Sequence, residues 1–215
     1  MTPPPASIHS NATGRALTDR LGLAPDALPA AGNWYPEENV LEFLLDQFDA
    51  RPGANAVICG AGLSVAVLAR AAARARQGGV WALESDERTI SMTQALLDAV
   101  GAEAHLLRAE LVEYDKHNLW YAPWSVAGLP ERIDLLFLDG PGHFAGRMPR
   151  WPAGPELFGK LSEGAAVILD DARRVKEKKA LKRWAEAYPW LVQHNTKRSG
   201  TVLLCREGVD TECTS

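Results

Sequence analysis

Five polar stretches, each closing an apolar run, hold the side chains that could do chemistry. Ala56 to Cys59 ends in Gly60-Ala61-Gly62, and Val80 to Leu83 ends in Glu84. Ala104 to Leu107 ends in Arg108-Ala109-Glu110, Ile133 to Leu138 in Asp139-Gly140-Pro141-Gly142-His143, and Ala165 to Leu169 in Asp170-Asp171. Glycine lets a chain turn sharply and puts no side chain between backbone and ligand, so Gly60, Ala61 and Gly62 before a helix suit a ligand loop. The third glycine of a dinucleotide fingerprint is missing, because Leu63-Ser64-Val65 follows. As a purely structural turn the same stretch would use Ser64 as N-cap. Glu84 lies about 20 residues beyond the glycines, where an acid accepts both hydroxyls of a ribose. It could equally start the turn Glu84-Ser85-Asp86-Glu87. Ala109 and Glu110 are placed to border an adenine ring.

Asp139, Asp170 and Asp171, brought to adjacent strand ends, would repel one another unless they share a proton, a cation or basic partners. A divalent cation, Mg²⁺, Ca²⁺ or Mn²⁺, is the simplest solution, and it could bind two oxygens of a hydroxylated substrate and promote its deprotonation. Against this, Asp170 or Asp171 could cap a helix beginning near Arg173 or Val175, and Asp139 could bind a cofactor amine or a turn amide. His143 is the nearest titratable candidate for a base, or else a surface residue.

The elements that must position these groups alternate. An amphipathic helix starts at Pro36 and carries Val40, Leu41, Leu44, Leu45 and Phe48 to about Asp49. The strand at Ala56 leads to helix Ser64 to Gln77, and the strand at Val80 to helix Glu87 to Val100, closed by Gly101. Next come the strand at Ala104, an irregular aromatic stretch from Tyr114 to Leu129, the strand at Ile133 and a short helix near Pro155 to Leu161. The strand at Ala165 and helix Val175 to Tyr188 follow. Strands apolar throughout imply burial on both faces, hence a parallel sheet between helices. Trp190 to His194 and Thr201 to Cys205, joined by Lys197-Arg198-Ser199-Gly200, read as a closing hairpin. The expectation is an α/β Rossmann-like three-layer sandwich, with a seven-stranded, mostly parallel sheet whose last strand is antiparallel.

A chain of 215 residues, 47% hydrophobic, fits one domain, here residues 32–215, after a loosely packed N-terminal arm at 1–31 rich in Pro, Ala, Ser and Thr. Net charge is −4, so nothing in the balance points to nucleic acid or a membrane surface. A small-molecule partner is expected, and a homo-oligomer is left open. Cys59, Cys205 and Cys213 lack the number and spacing of a disulfide framework or a zinc site. With no signal peptide and no spanning segment, the cytoplasm is the expected compartment. The stretch Arg173 to Arg183 carries seven basic residues and one acid, which a solvated helix face explains. Trp120, Tyr121, Trp124, Phe144 and Trp151 could wall a pocket or seal the core, and Arg147 and Arg150 could contact an anion there.

The closing hairpin makes this pattern resemble the class I S-adenosylmethionine-dependent methyltransferases. Ile133-Asp-Leu-Leu-Phe-Leu-Asp-Gly-Pro-Gly142, then Leu161 to Ala172 with Asp170-Asp171, then the helix ending at Trp184, is similar to small bacterial O-methyltransferase-like proteins. The resemblance runs from about Val40 to Cys205. It implies S-adenosylmethionine held by Gly60, Ala61, Gly62, Ser64, Glu84, Ser85, Ala109, Glu110 and Asp139. It also implies Mg²⁺ or a like ion on Asp139, Asp170 and Asp171, and O-methylation of a small hydroxylated substrate. Catechol-type relatives carry a lysine where this chain has Gly142, and sugar O-methyltransferases an acid where it has Pro141. The base is therefore not inherited, which leaves His143 and Asp139 for the catalytic role. Two other readings stand beside this one: a nicotinamide-dependent (NAD) oxidoreductase, and a non-catalytic cofactor-binding protein that keeps the fold.

Overall fold

The computed structural model describes residues 12–29, 36–196 and 200–207. The strands that were apolar throughout become the centre of the sheet. Strand β1 (Asn55–Cys59) and strand β6 (Ile133–Leu138) are buried along nearly their whole length. Because side chains alternate across a strand, Ala56 and Ile58 enter one core while Val57 and Cys59 enter the other. β2 (Gly79–Glu84) and β3 (His105–Arg108) extend the sheet from β1, and β7 (Leu161–Leu169) extends it from β6, all parallel. β9 (Val202–Arg206) runs antiparallel between β7 and β8 (Leu191–Asn195), so the strand order is β3-β2-β1-β6-β7-β9-β8. The expected architecture is present. The hairpin's linking residues 197–199 lie outside the described residues, as does Cys213.

Helices α2 (Glu38–Asp49), α3 (Leu63–Ala75) and α4 (Glu87–Val100) pack side by side on one face. Helix α7 (Val175–Ala187), the short α6 (Ala153–Leu157) and the rings of Trp120, Trp151, Phe158 and Trp184 cover the other. Both ends of α4 were readable locally. Asp86 accepts from the N–H groups of Arg88 (2.7 Å) and Thr89 (3.0 Å), and Gly101 takes a left-handed φ of 61°. α2 starts at Glu38, with Glu37 at the N-cap position but making no side-chain cap, so Pro36 precedes the first turn instead of sitting in it.

Two expectations are corrected. Tyr114 to Leu129 is not irregular: β4 (Leu111–Asp115) and β5 (Asn118–Tyr121) form a separate antiparallel hairpin, followed by the one-turn helix α5 (Pro123–Val126). Within the expected loose arm, residues 12–21 form helix α1 (Ala12–Leu21). Leu17 and Leu21, one helical turn apart, are buried with Leu28 in the first core. Arg20 bridges to Asp46 (2.7 Å) and Asp49 (2.8 Å) of α2. Low periodicity over the whole stretch hid one short stripe. Residues 1–11 and 30–31 of that arm, and Asn33 where order was expected to begin, lie outside the described residues.

Candidate active site

Parallel strands bring their carboxyl ends to one edge of the sheet, and crossovers leave β1 and β6 in opposite directions, which opens a crevice between them. Gly60 and Gly62 sit at this point with φ of 109° and 110°, a region open to glycine and strained for other residues. Gly62 is the N-cap of α3 and, having no side chain, leaves the first-turn amides uncapped. Ser64 is therefore not the cap; its hydroxyl is buried inside the first turn without a hydrogen-bond partner among the described residues.

The turn is closely backed by the end of β6. The N–H groups of Asp139 and Gly140 both donate to the Cys59 carbonyl, at 3.1 and 2.6 Å. A Cβ on Gly140 would lie 2.7 Å from the Tyr121 hydroxyl and 3.1 Å from the Gly60 nitrogen, so only glycine fits. Burial pushes the Tyr121 phenol well above its usual range, with the charges of Glu84 and Asp139 adding to it. Tyr121, carried over the crevice by the β4–β5 hairpin, thus shares the environment of the β2 and β6 ends.

Glu84 ends β2, half-buried. One carboxylate oxygen accepts from the N–H groups of Ser85 (2.6 Å) and Asp86 (2.8 Å), and the other has no protein donor among the described residues. The turn-starting role is thus seen, and it orients the free oxygen. Ala109 is fully buried and donates its N–H to the Glu84 carbonyl at 2.7 Å, which draws the β3 end against the β2 end. Glu110 beside it is exposed.

Asp139, Asp170 and Asp171 do come together, with one carboxylate oxygen from each lying within 4.8 Å of the others. Consecutive strand residues point to opposite faces, and Asp171 breaks that alternation with a left-handed φ of 56°. Neither aspartate caps α7, whose N-cap is Arg174. The surprise is Arg150, only 2% exposed and not at a surface anion site. Its Nη1 donates to the Asp170 carbonyl (2.5 Å) and its Nη2 to the Asp139 carbonyl (2.5 Å). Nη2 also lies 3.2 Å from an Asp171 oxygen and 3.6 Å from an Asp139 oxygen. Arg174 adds a second guanidinium at 2.8 Å from the same Asp171 oxygen. Burial raises the Asp139 carboxyl to about 7, with Arg150 pulling it down and Asp170 and Asp171 pushing it up. Burial likewise raises Asp170.

His143 is not brought into this cluster. It sits exposed on a single 3₁₀ turn (His143–Ala145), its carbonyl accepting from the Lys176 ammonium at 2.6 Å. Of the aromatics, Trp120, Tyr121 and Trp151 are buried, while Trp124 and Phe144 are exposed. Arg147 is also exposed. Arg150 and Tyr121 are what sequence reasoning undervalued. The one signal for Arg150 was the need of three adjacent carboxylates for a basic partner.

No protein-family model matches the sequence, and no curated protein matches it either. Solved structures do. A precorrin-6y C5,15-methyltransferase from Geobacter metallireducens matches with a TM-score of 0.59 at 17% identity, over 85% of this chain and 94% of that one. An O-methyltransferase from Bacillus cereus in complex with SAH matches at 0.56 and 15% identity, over 93% of each chain. A ribosomal protein L11 methylase from Lactobacillus delbrueckii subsp. bulgaricus matches at 0.52 and 16% identity, over 80% of each. The fold is that of the class I methyltransferases.

Proposed function

We propose that the chain is an S-adenosylmethionine-dependent methyltransferase acting on a hydroxyl oxygen of a small molecule. The observation that carries this reading is the crevice between β1 and β6. There a glycine turn with uncapped helix amides, the partly free carboxylate of Glu84 and the carboxyl of Asp139 converge. The Ser64 hydroxyl in the first turn of α3 adds a buried polar group with no partner among the described residues, as a ligand-binding turn would. The residues fit the cofactor. Gly60, Ala61 and Gly62 let the backbone approach it, Glu84 and Ser85 hold its ribose, and Ala109 and Glu110 border its adenine.

When bound, S-adenosylmethionine supplies an already activated methyl group, so the protein's work is alignment and proton removal. Asp139, at the β6 end, faces the same crevice and accepts the hydroxyl proton. Exposed His143 at the rim is the second candidate for that proton. Trp124 on α5 and Phe144 on the 3₁₀ turn, both exposed, offer apolar surface to the acceptor. The solved structures that this chain resembles include a precorrin-6y C5,15-methyltransferase and a ribosomal protein L11 methylase. The enclosed acids Asp139, Asp170 and Asp171 favour the small-molecule class here. Among the described residues no helix is long and apolar enough to cross a membrane.

Calorimetric titration with S-adenosylmethionine, S-adenosylhomocysteine and NAD tests this. The adenosyl ligands should bind with Kd on the order of micromolar and NAD should not. Binding of NAD alone would overturn the reading. Tight S-adenosylhomocysteine binding without methyl transfer to any of a panel of hydroxylated compounds would favour the non-catalytic alternative.

A further inference from the structure

A guanidinium with 2% exposure is expensive to bury unless its surroundings answer its charge and its donors. The charge of Arg150 is answered by the Asp139 and Asp171 carboxylates and its terminal nitrogens by the Asp139 and Asp170 carbonyls, while its buried Nε–H has no partner among the described residues. These four acceptors come from the ends of β6 and β7, so one side chain clasps both strand ends. The loop that brings it there is itself pinned. The Lys176 ammonium donates to the His143 and Gly146 carbonyls, each at 2.6 Å, and the Met148 N–H donates to the Asn118 side-chain oxygen at 2.8 Å. The guanidinium is therefore held in place before any ligand arrives.

An oxygen-only donor set suits a hard divalent cation by type. Here, however, two of its three carboxylates already face Arg150, and Asp171 also faces Arg174. A divalent ion drawn to the same oxygens would have to displace a buried guanidinium or sit against two positive charges. The residues present do not fit the metal.

We propose that Arg150 is the resident cation of this site, a positioning residue that takes the place of the expected metal and holds the β6 and β7 carboxylates for use. Resting on the methyltransferase reading, one consequence concerns substrate class. With no ion to chelate, the acceptor need not offer two adjacent oxygens, and a single hydroxyl suffices.

The test is Mn²⁺ uptake, followed by the magnetic resonance signal of free Mn²⁺, on protein freed of metal with a chelator. Wild type should take up none at concentrations up to about 1 mM. Arg150→Met, which strips the carboxylates of their buried cation, should bind Mn²⁺ at least about tenfold more tightly, and Arg150→Lys should revert to wild-type behaviour. Uptake by wild type below about 1 mM that is lost in Asp170→Asn would overturn the proposal. So would a folded Arg150→Met that takes up none. Should Arg150→Met fail to fold, the comparison of wild type with Asp170→Asn decides alone. S-adenosylhomocysteine binding measured in chelator on the same samples separates the two ideas. In wild type, absence of that binding with no Mn²⁺ uptake counts against the methyltransferase reading, while Mn²⁺ uptake with that binding intact counts against Arg150.

Discussion

Asp139 is pulled in two directions: burial favours its protonated form, while Arg150 favours its ionised form. Burial prevails, moving the carboxyl from 3.8 to about 7. Between those values the folded protein keeps a proton that the unfolded chain releases, so this group's contribution to stability falls as pH rises through that window. Asparagine imitates the protonated acid at all pH values. Asp139→Asn should therefore match wild type in melting midpoint near pH 4 and exceed it by pH 8. A gap between the two that does not widen with pH would refute this account. At this scale the glycines and Glu84 were legible, because a turn and a strand end are written in neighbouring residues. Arg150 was not, because nothing near it in the chain announces its partners.

The element least legible in the sequence is the β4–β5 hairpin. Its strands have four or five residues and a register shift between Glu113 and Asp115, which breaks the two-residue alternation that reveals a strand. Polar contacts hold it in place. Asp115 accepts from the side-chain amide of Asn118 (3.0 Å) and from the His117 N–H (2.7 Å), while Asn118 receives the Met148 N–H. Gly146 must stay bare, since a Cβ there would come within 2.3 Å of the His117 carbonyl. Asn118→Ala should cost about 1–3 kcal/mol, because it leaves a buried amide unanswered. It should also speed hydrogen exchange within residues 111–121 and 142–148 while the central strands stay protected. Exchange rising evenly along the whole chain would show that the hairpin is not tethered in this way.

For the molecule as a whole, α1 completes the first core, with Leu17 fully buried among residues of α2 and α3. Leu17→Ala should lower stability by about 2–5 kcal/mol, read as a fall in the denaturant midpoint. An unchanged midpoint would mean that the segment is detached from the cooperative unit. The chain by itself determined the parallel sheet, its apolar centre, the closing antiparallel strand and the glycine and acidic strand ends. Burial on both faces leaves a continuous apolar run, and strand ends leave a polar break, whatever the rest of the chain does. Tertiary structure alone decided which charges meet. Arg150 lies 11 residues after Asp139 and 20 before Asp170, yet all three share a few ångström of space. Periodicity records which face a residue takes, whereas Coulomb attraction and hydrogen bonding act through space and leave no period to read. The three aspartates at the strand ends thus stand with a guanidinium of the chain's own, Arg150, against two of them.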